Sequence, residues 1–370
     1  MKLSPRLCAG VAAITLSGLL SACGDSRALP LVGAAGEAPD LDASAGWMAA
    51  ADASQAATLP PECAGASVPP PSLACTGLYA DLAAKSVAAG VEPYAPAVPL
   101  WSDGALKQRW ISLPPGEQID DTDPDEWIFP VGTKVWKEFT RDGRRVETRL
   151  WQKVTPTYWV DATYAWNAGE TAATRSAGGD IPWGSGTYHI PTSDECQKCH
   201  RGRTDRILGF EQVLLGLDGA TGLTLGRLAA AGRLKVAPPS VALAIGDDGT
   251  GAAAPALAWL HVNCGTTCHN RNSNATAWAT GMFLRLSASQ LDGRPADGFD
   301  ALVTTVGVAA VSTAWKGQPR IARQDPDASL LYHLITNRGQ GNQMPPIATA
   351  VVDPEGTARV GAWIRKLPAP

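Results

Sequence analysis

Two short segments concentrate the chemistry of this chain: Cys196-Gln-Lys-Cys199-His200 and Cys264-Gly-Thr-Thr-Cys268-His269. The first is a C-x-x-C-H pattern, in which two thiols one helical turn apart add to the vinyl groups of a haem while the next residue's imidazole reaches the iron. The second has three residues between its cysteines, so the extra residue must bulge for the sulfurs to match the same vinyl spacing, and Gly265 makes that bulge sterically easier. The expected cofactors are two covalently bound haem c groups. Cys196, Cys199, Cys264 and Cys268 are then the thioether attachment points, with His200 and His269 as proximal ligands. A zinc ribbon also uses two close cysteine pairs, but it requires neither a trailing histidine nor export.

Three other histidines remain for a distal position on the first haem. His261 is the preferred candidate, because it stands three residues before Cys264 and could bridge the two haem regions. His189, His333 and Met282 stay open, as does a free position that would permit ligand binding or catalysis.

The chain has eight cysteines. Cys8 and Cys23 belong to its N-terminal segment, where two positive charges precede an apolar run from Leu7 to Leu20 that is too short to span a bilayer, as in an export signal. Leu20-Ser21-Ala22-Cys23 resembles the lipobox of bacterial lipoproteins, which implies a signal peptide over 1–22 and lipidation of Cys23. Gly24 rather than an aspartate follows, which favours the outer membrane. The expected location is therefore the periplasm or cell surface, with the membrane reached through lipid. Cys63 and Cys75 complete the count and are expected to pair in an oxidising compartment.

Residues 23–75 read as a flexible tether, rich in Ala, Pro, Ser and Gly. A β-rich domain is expected over 76–188, a first haem segment over 189–252 and a cytochrome c-like domain over 253–370. The fold class is thus α+β, an antiparallel β-rich domain followed by a mainly α-helical diheme region. Tyr158, Val160, Ala162, Tyr164 and Trp166 alternate as a half-buried strand should, and Asp142-Gly143 suits a tight hairpin turn. Ala254 to Asn263 reads as a short amphipathic helix leading into Cys264, and Asp353-Pro354 as the cap and first residue of a terminal helix burying Val360, Trp363, Ile364 and Leu367. Asp120-Asp-Thr-Asp-Pro-Asp125 reads as a solvated acidic loop with weak calcium potential. Net charge is −4 and no basic block occurs, so nucleic acid is not an expected partner.

Several segments in combination resemble a family of bacterial diheme c-type cytochromes, often lipoproteins with an N-terminal β-rich region. They are Val98-Pro-Leu-Trp-Ser-Asp-Gly-Ala105 with Arg109-Trp-Ile, Trp127-Ile-Phe-Pro-Val-Gly-Thr133, Val146-Glu-Thr-Arg-Leu150, Cys196 to His200 and Leu260-His-Val-Asn-Cys264. The three-residue spacing between Cys264 and Cys268 departs from that family's pattern. Gln343-Met344-Pro345-Pro346 is similar to the M-P-P ligand loop of cytochromes c, which implies Met344 as distal ligand of the second haem. The resemblance implies electron transfer with envelope redox partners rather than a stand-alone enzyme. The competing readings are a haem-dependent oxidoreductase with an open first haem, and a binding module in which haem is structural.

Overall fold

The computed structural model describes residues 61–369 apart from 292 and 340, all within one compact unit, Gly46–Pro370. The export signal, Cys23 and most of the tether lie outside the described residues. Strands β1 (Tyr79–Asp81) and β2 (Ser86–Val87) form a small hairpin. Then come β3 (Glu92–Ala95), β4 (Leu106–Ser112), β5 (Lys134–Arg141), β6 (Arg144–Thr155), β7 (Tyr158–Trp166) and β8 (Ala173–Ser176). A second hairpin pairs β9 (Gly179–Trp183) with β10 (Gly186–Ile190), and β11 (Thr221–Gly222) returns to the edge of β3. The main sheet has seven antiparallel strands in the order β11-β3-β4-β5-β6-β7-β8. Asp142 and Gly143 join β5 to β6 with φ of 51° and 73°, positive values that let a two-residue turn follow the strands' twist.

Both faces of the sheet are covered. Trp110, Trp136, Leu150, Tyr164 and Trp166 pack on one side against Leu73 and Leu78, in a segment closed by the Cys63–Cys75 disulfide. Ile111, Val135, Trp151 and Trp159 pack on the other against Phe210, Leu225 and Leu228, residues that follow the first cysteine motif. Each such large apolar side chain contributes roughly 1.5–3 kcal/mol on full burial.

The helices are α1 (Ser193–His200), α2 (Gln212–Gly216), α3 (Leu225–Ala230), α4 (Ala253–Leu260), α5 (Asp300–Val303), α6 (Leu330–Thr336) and α7 (Pro354–Lys366). The expectation of a mainly α-helical cytochrome c-like region is overturned, because the molecule is mainly sheet and its helices are short. Long irregular stretches separate α4, α5, α6 and α7. Turn-forming residues such as Gly281, Gly293 and Gly307, all at positive φ, interrupt any helical run there. What the C-terminal part does form is a core in which α4 meets α7: Leu257, Leu260, Val360, Trp363 and Ile364 are buried together with Leu284, Leu286 and Ile321 from the loops. Asp353 fastens the junction, capping Gly356 N at 2.9 Å and accepting Trp259 Nε1 at 2.7 Å. The segment leading to Cys264 is not amphipathic, since Ala256 through Gly265 are all buried. No helix among the described residues is long and apolar enough to cross a membrane.

Candidate functional site: two clefts lined by thiols and imidazoles

α1 starts at a reciprocal cap. The Thr192 hydroxyl accepts from Glu195 N at 3.3 Å, while the Glu195 carboxylate accepts from Thr192 N at 2.9 Å. Asp161 on β7 anchors the helix to the sheet through Ser193 Oγ at 3.0 Å and Gln197 Nε2 at 3.1 Å. Cys196 and Cys199 therefore sit one turn apart, and with His200 they line a cleft of about 510 Å³. His200 Nδ1 lies 2.6 Å from the Arg206 carbonyl, and the ring stacks on Trp151 with centroids 4.2 Å apart. A carbonyl only accepts, so Nδ1 carries the proton and Nε2 keeps its lone pair. Burial pushes the His200 pKa down to about 3, with the Lys137 charge adding to the effect, so the imidazole is neutral.

In the second motif the backbone absorbs the extra residue as a π turn over His261–Gly265. Its five-residue bonds run on through the motif, Thr266 N to His261 O at 2.8 Å and His269 N to Cys264 O at 2.9 Å. Gly265 is required for a further reason, since a Cβ there would run into the backbone of Leu284 and Arg285. Cys264, Cys268 and His269 line a second, narrower cleft of about 120 Å³ together with Met282, Met344 and Pro345. His269 repeats the arrangement of His200, with Nδ1 3.2 Å from the Met282 carbonyl. Its pKa is likewise lowered by burial, to about 4.

The two clefts adjoin. Cys199 lines both, as do Leu100 and Thr267. Cys199 and Cys268 come close enough to couple, an interaction that lowers the Cys268 pKa and raises that of Cys199. Thr276 Oγ1 donates to the Lys198 carbonyl at 3.1 Å and accepts from Arg201 at 3.1 Å. Gly202 makes the approach sterically feasible, since a Cβ there would overlap the Thr267 carbonyl. Over both clefts, Asp103 ties the loop before β4 to the segment after Met344, accepting from Thr349 Oγ1 at 2.7 Å and Ala350 N at 2.9 Å.

Buried polar nodes hold this arrangement. Asp205, just after the first motif, receives Lys153 Nζ at 2.6 Å, Phe129 N at 2.6 Å and Trp159 Nε1 at 2.8 Å, all from the sheet side. Glu211 receives Arg203 Nη1 at 2.5 Å and His261 Nε2 at 2.7 Å. Burial acts to raise the Glu211 pKa, but the Arg203 charge and the hydrogen bond from His261 outweigh it and hold the carboxyl well below its usual range.

These bonds settle where the sequence candidates stand. His261 gives Nε2 to Glu211 and accepts Leu286 N at Nδ1, 2.9 Å away, so neither ring nitrogen is left for iron; its position three residues before Cys264 serves the fold instead. His189 lines the first cleft with Nδ1 2.7 Å from Asp180 and Nε2 3.1 Å from Glu195. His333 is exposed on α6 beside Trp315, away from both clefts. The Asp120–Asp125 segment is not simply solvated, because Asp121 accepts Val236 N at 2.7 Å and Asp125 accepts Ala288 N at 2.8 Å. It clamps two distant loops.

Among the described residues no group of three or more His, Cys, Asp and Glu side chains could hold a metal ion. The haem, iron, metal-binding and cytochrome c designation drawn from the sequence is therefore corrected as a description of the folded polypeptide, which displays neither a protein-built metal cluster nor a helical haem-binding fold. The zinc-ribbon alternative falls with it. No family model, curated protein or solved structure matches the chain.

The sequence reading missed the sheet's contribution to the first cleft. Arg109, Lys137 and Arg149 line it from β4, β5 and β6. A strand-by-strand tally of charged residues at alternate positions would have flagged them, but only the pairing register brings them side by side.

Proposed function

We propose that this chain binds two haem c groups and relays single electrons between redox partners in the bacterial envelope. The observation that carries this reading is the repeated unit: each motif sets two free thiols beside a neutral imidazole whose Nδ1 is engaged by a backbone carbonyl. That second bond is the usual outer support of a metal-bound histidine, fixing tautomer and orientation. The absence of a cluster of three or more protein ligands is compatible with it, because a porphyrin brings four nitrogens and asks the chain only for thioether bonds and axial groups. When bound, the group would supply reversible one-electron chemistry. Cys196, Cys199, Cys264 and Cys268 would hold it by covalent attachment, His200 and His269 would be the proximal ligands, and Met344 offers a thioether in the second cleft. The shared wall at Cys199 and Thr267 supports a relay, since it sets the two clefts edge to edge. The resemblance to diheme c-type cytochromes belongs to the same proposal, as do export and lipid anchoring at Cys23. Intact-mass analysis of protein matured in a bacterium equipped for cytochrome c synthesis tests the cofactor: two haem additions are expected, and a bare polypeptide mass would end the reading. Globomycin-sensitive processing tests the anchor.

A specific observation also favours the oxidoreductase reading for the first cleft. No methionine is among its lining residues, and its second imidazole, His189, has both nitrogens held by carboxylates. Carbon monoxide binding to the reduced protein at one haem only would support this reading, and a wholly unreactive pair would exclude it.

A further inference from the structure

We propose that Arg109, Lys137 and Arg149 form a carboxylate-binding row in the first cleft, and that this row receives the two propionate groups of a haem attached at Cys196 and Cys199. The inference rests on the haem reading above and adds to it the residues that fix the group's orientation.

The row is a product of register. Arg109 on β4 stands opposite Lys137 on β5, and Lys137 stands opposite Arg149 on β6. All three point to the face that carries Ile111, Val135 and Trp151, because side chains two apart on a strand share a face. Along that face the sheet changes from apolar to cationic as it passes from the Trp151–Trp159 end to the cleft. Like charges directly opposite one another on neighbouring strands destabilise a sheet, so the row needs a counter-charge.

The protein supplies only part of one. Arg149 is bidentate with Glu147, at 2.5 and 3.0 Å, and Tyr188 donates to the same carboxylate at 2.6 Å. Arg109 is only 6 % exposed, and among the described residues neither it nor Lys137 has a hydrogen-bonded or ion-paired partner. Asp103 and Glu195 also line the cleft, but Asp103 is committed to Thr349 Oγ1 and the backbone N–H groups of Ala350 and Val351, and Glu195 to Thr192 and His189. Two adjacent basic groups therefore lack a counter-charge where burial makes that expensive, and burial with the Arg109 and Arg149 charges pushes the Lys137 pKa down to about 7. A ligand with two carboxylates matches this count, and the planar guanidinium fork of Arg109 is shaped for bidentate carboxylate recognition. The thiols and His200 line the same cleft as the row, so a single planar dianionic group can answer to both.

The test uses the full-length, haem-loaded protein and its Arg109→Gln, Lys137→Gln and Lys137→Arg variants. Redox-difference infrared spectra report the propionate carboxylates, and a spectral titration reports each haem's potential. Both Gln variants are expected to shift the propionate bands and to lower the potential of the first haem, leaving the second unchanged as an internal check on folding. Lys137→Arg is expected to restore both readouts. Loss of the first haem alone from Lys137→Gln, with both haems kept in Lys137→Arg, supports the same conclusion. Propionate bands that are identical in all four proteins overturn it. Titration with inorganic sulfate distinguishes the other source of anions: saturable binding lost in Lys137→Gln, with propionate bands unmoved, assigns the row to a free oxyanion and overturns the proposal. Wild-type protein with no haem by mass sinks the parent reading instead, so the two failures are separable.

Discussion

His200 and His269 reach the same chemical state by different local routes. One closes an ordinary α-helix and the other follows a π turn, yet each has Nδ1 facing a carbonyl and a pKa pushed down by burial. That convergence is what a ligand imidazole requires, because only the neutral ring offers a lone pair at Nε2. Met344 completes the second cleft. Met344→Ala is expected to abolish the sulfur-to-iron charge-transfer band of the oxidised protein and to lower one midpoint potential, since a thioether ligand raises it; an unchanged band contradicts the assignment. Gly265→Ala should cost about 1–3 kcal/mol by overpacking against Arg285, measured as a fall in denaturation midpoint at constant slope. At this scale the sequence was informative wherever the chemistry lies in adjacent residues, as in the two cysteine motifs. It gave no role to Arg109, Lys137 or Arg149, whose meaning depends on strand pairing across 40 positions from Arg109 to Arg149.

At the scale of elements, Glu211 couples the segment after the first motif to the start of the second. Glu211→Gln removes the closer of buried Arg203's two carboxylate partners, leaving Glu126 at 3.7 Å, and is expected to destabilise the protein by about 3 kcal/mol. The pH dependence follows from the sign of the shift. The folded-state pKa is depressed, so the stabilisation is present above the ordinary value of 4.5 and is lost as pH falls below it toward the folded value. Urea midpoints of the wild type should therefore drop on acidification below that pH, and the Gln variant should lack that part of the slope; parallel profiles contradict the account. Gly202→Ala should separate the motifs at Thr267, lowering stability by about 1–3 kcal/mol. The hairpin at Asp142-Gly143 and the capped helix at Asp353-Pro354 were readable because each depends on a few neighbouring residues. The approach to Cys264 misled: His261 and Asn263 look like a polar face, but their side chains are buried and bonded, Asn263 Nδ2 to the Trp259 carbonyl at 3.0 Å and His261 to Glu211. Helical spacing cannot report a π turn or a buried partner 50 positions away.

For the whole molecule, the sheet is a scaffold with two covered faces, and the first cleft lies where one face turns from apolar to basic. The mainly helical C-terminal region expected from the sequence failed because loops such as 281–287 are held by side-chain to backbone bonds, for instance Phe283 N to Thr304 Oγ1 at 3.0 Å, which leave no periodic trace. The Cys63–Cys75 disulfide closes the loop that carries Leu73, which with Leu78 packs on the opposite face. Replacing both cysteines by serine is expected to lower stability by about 2–4 kcal/mol through the denatured chain, with the cofactor content unaltered; a changed haem count would show that this face also supports the clefts. The central claim is most directly tested by intact mass combined with a spectral redox titration of the matured full-length protein. Two covalent haem additions and two reversible one-electron steps are predicted; a mass equal to the polypeptide alone, with no redox-active absorbance, would contradict the account.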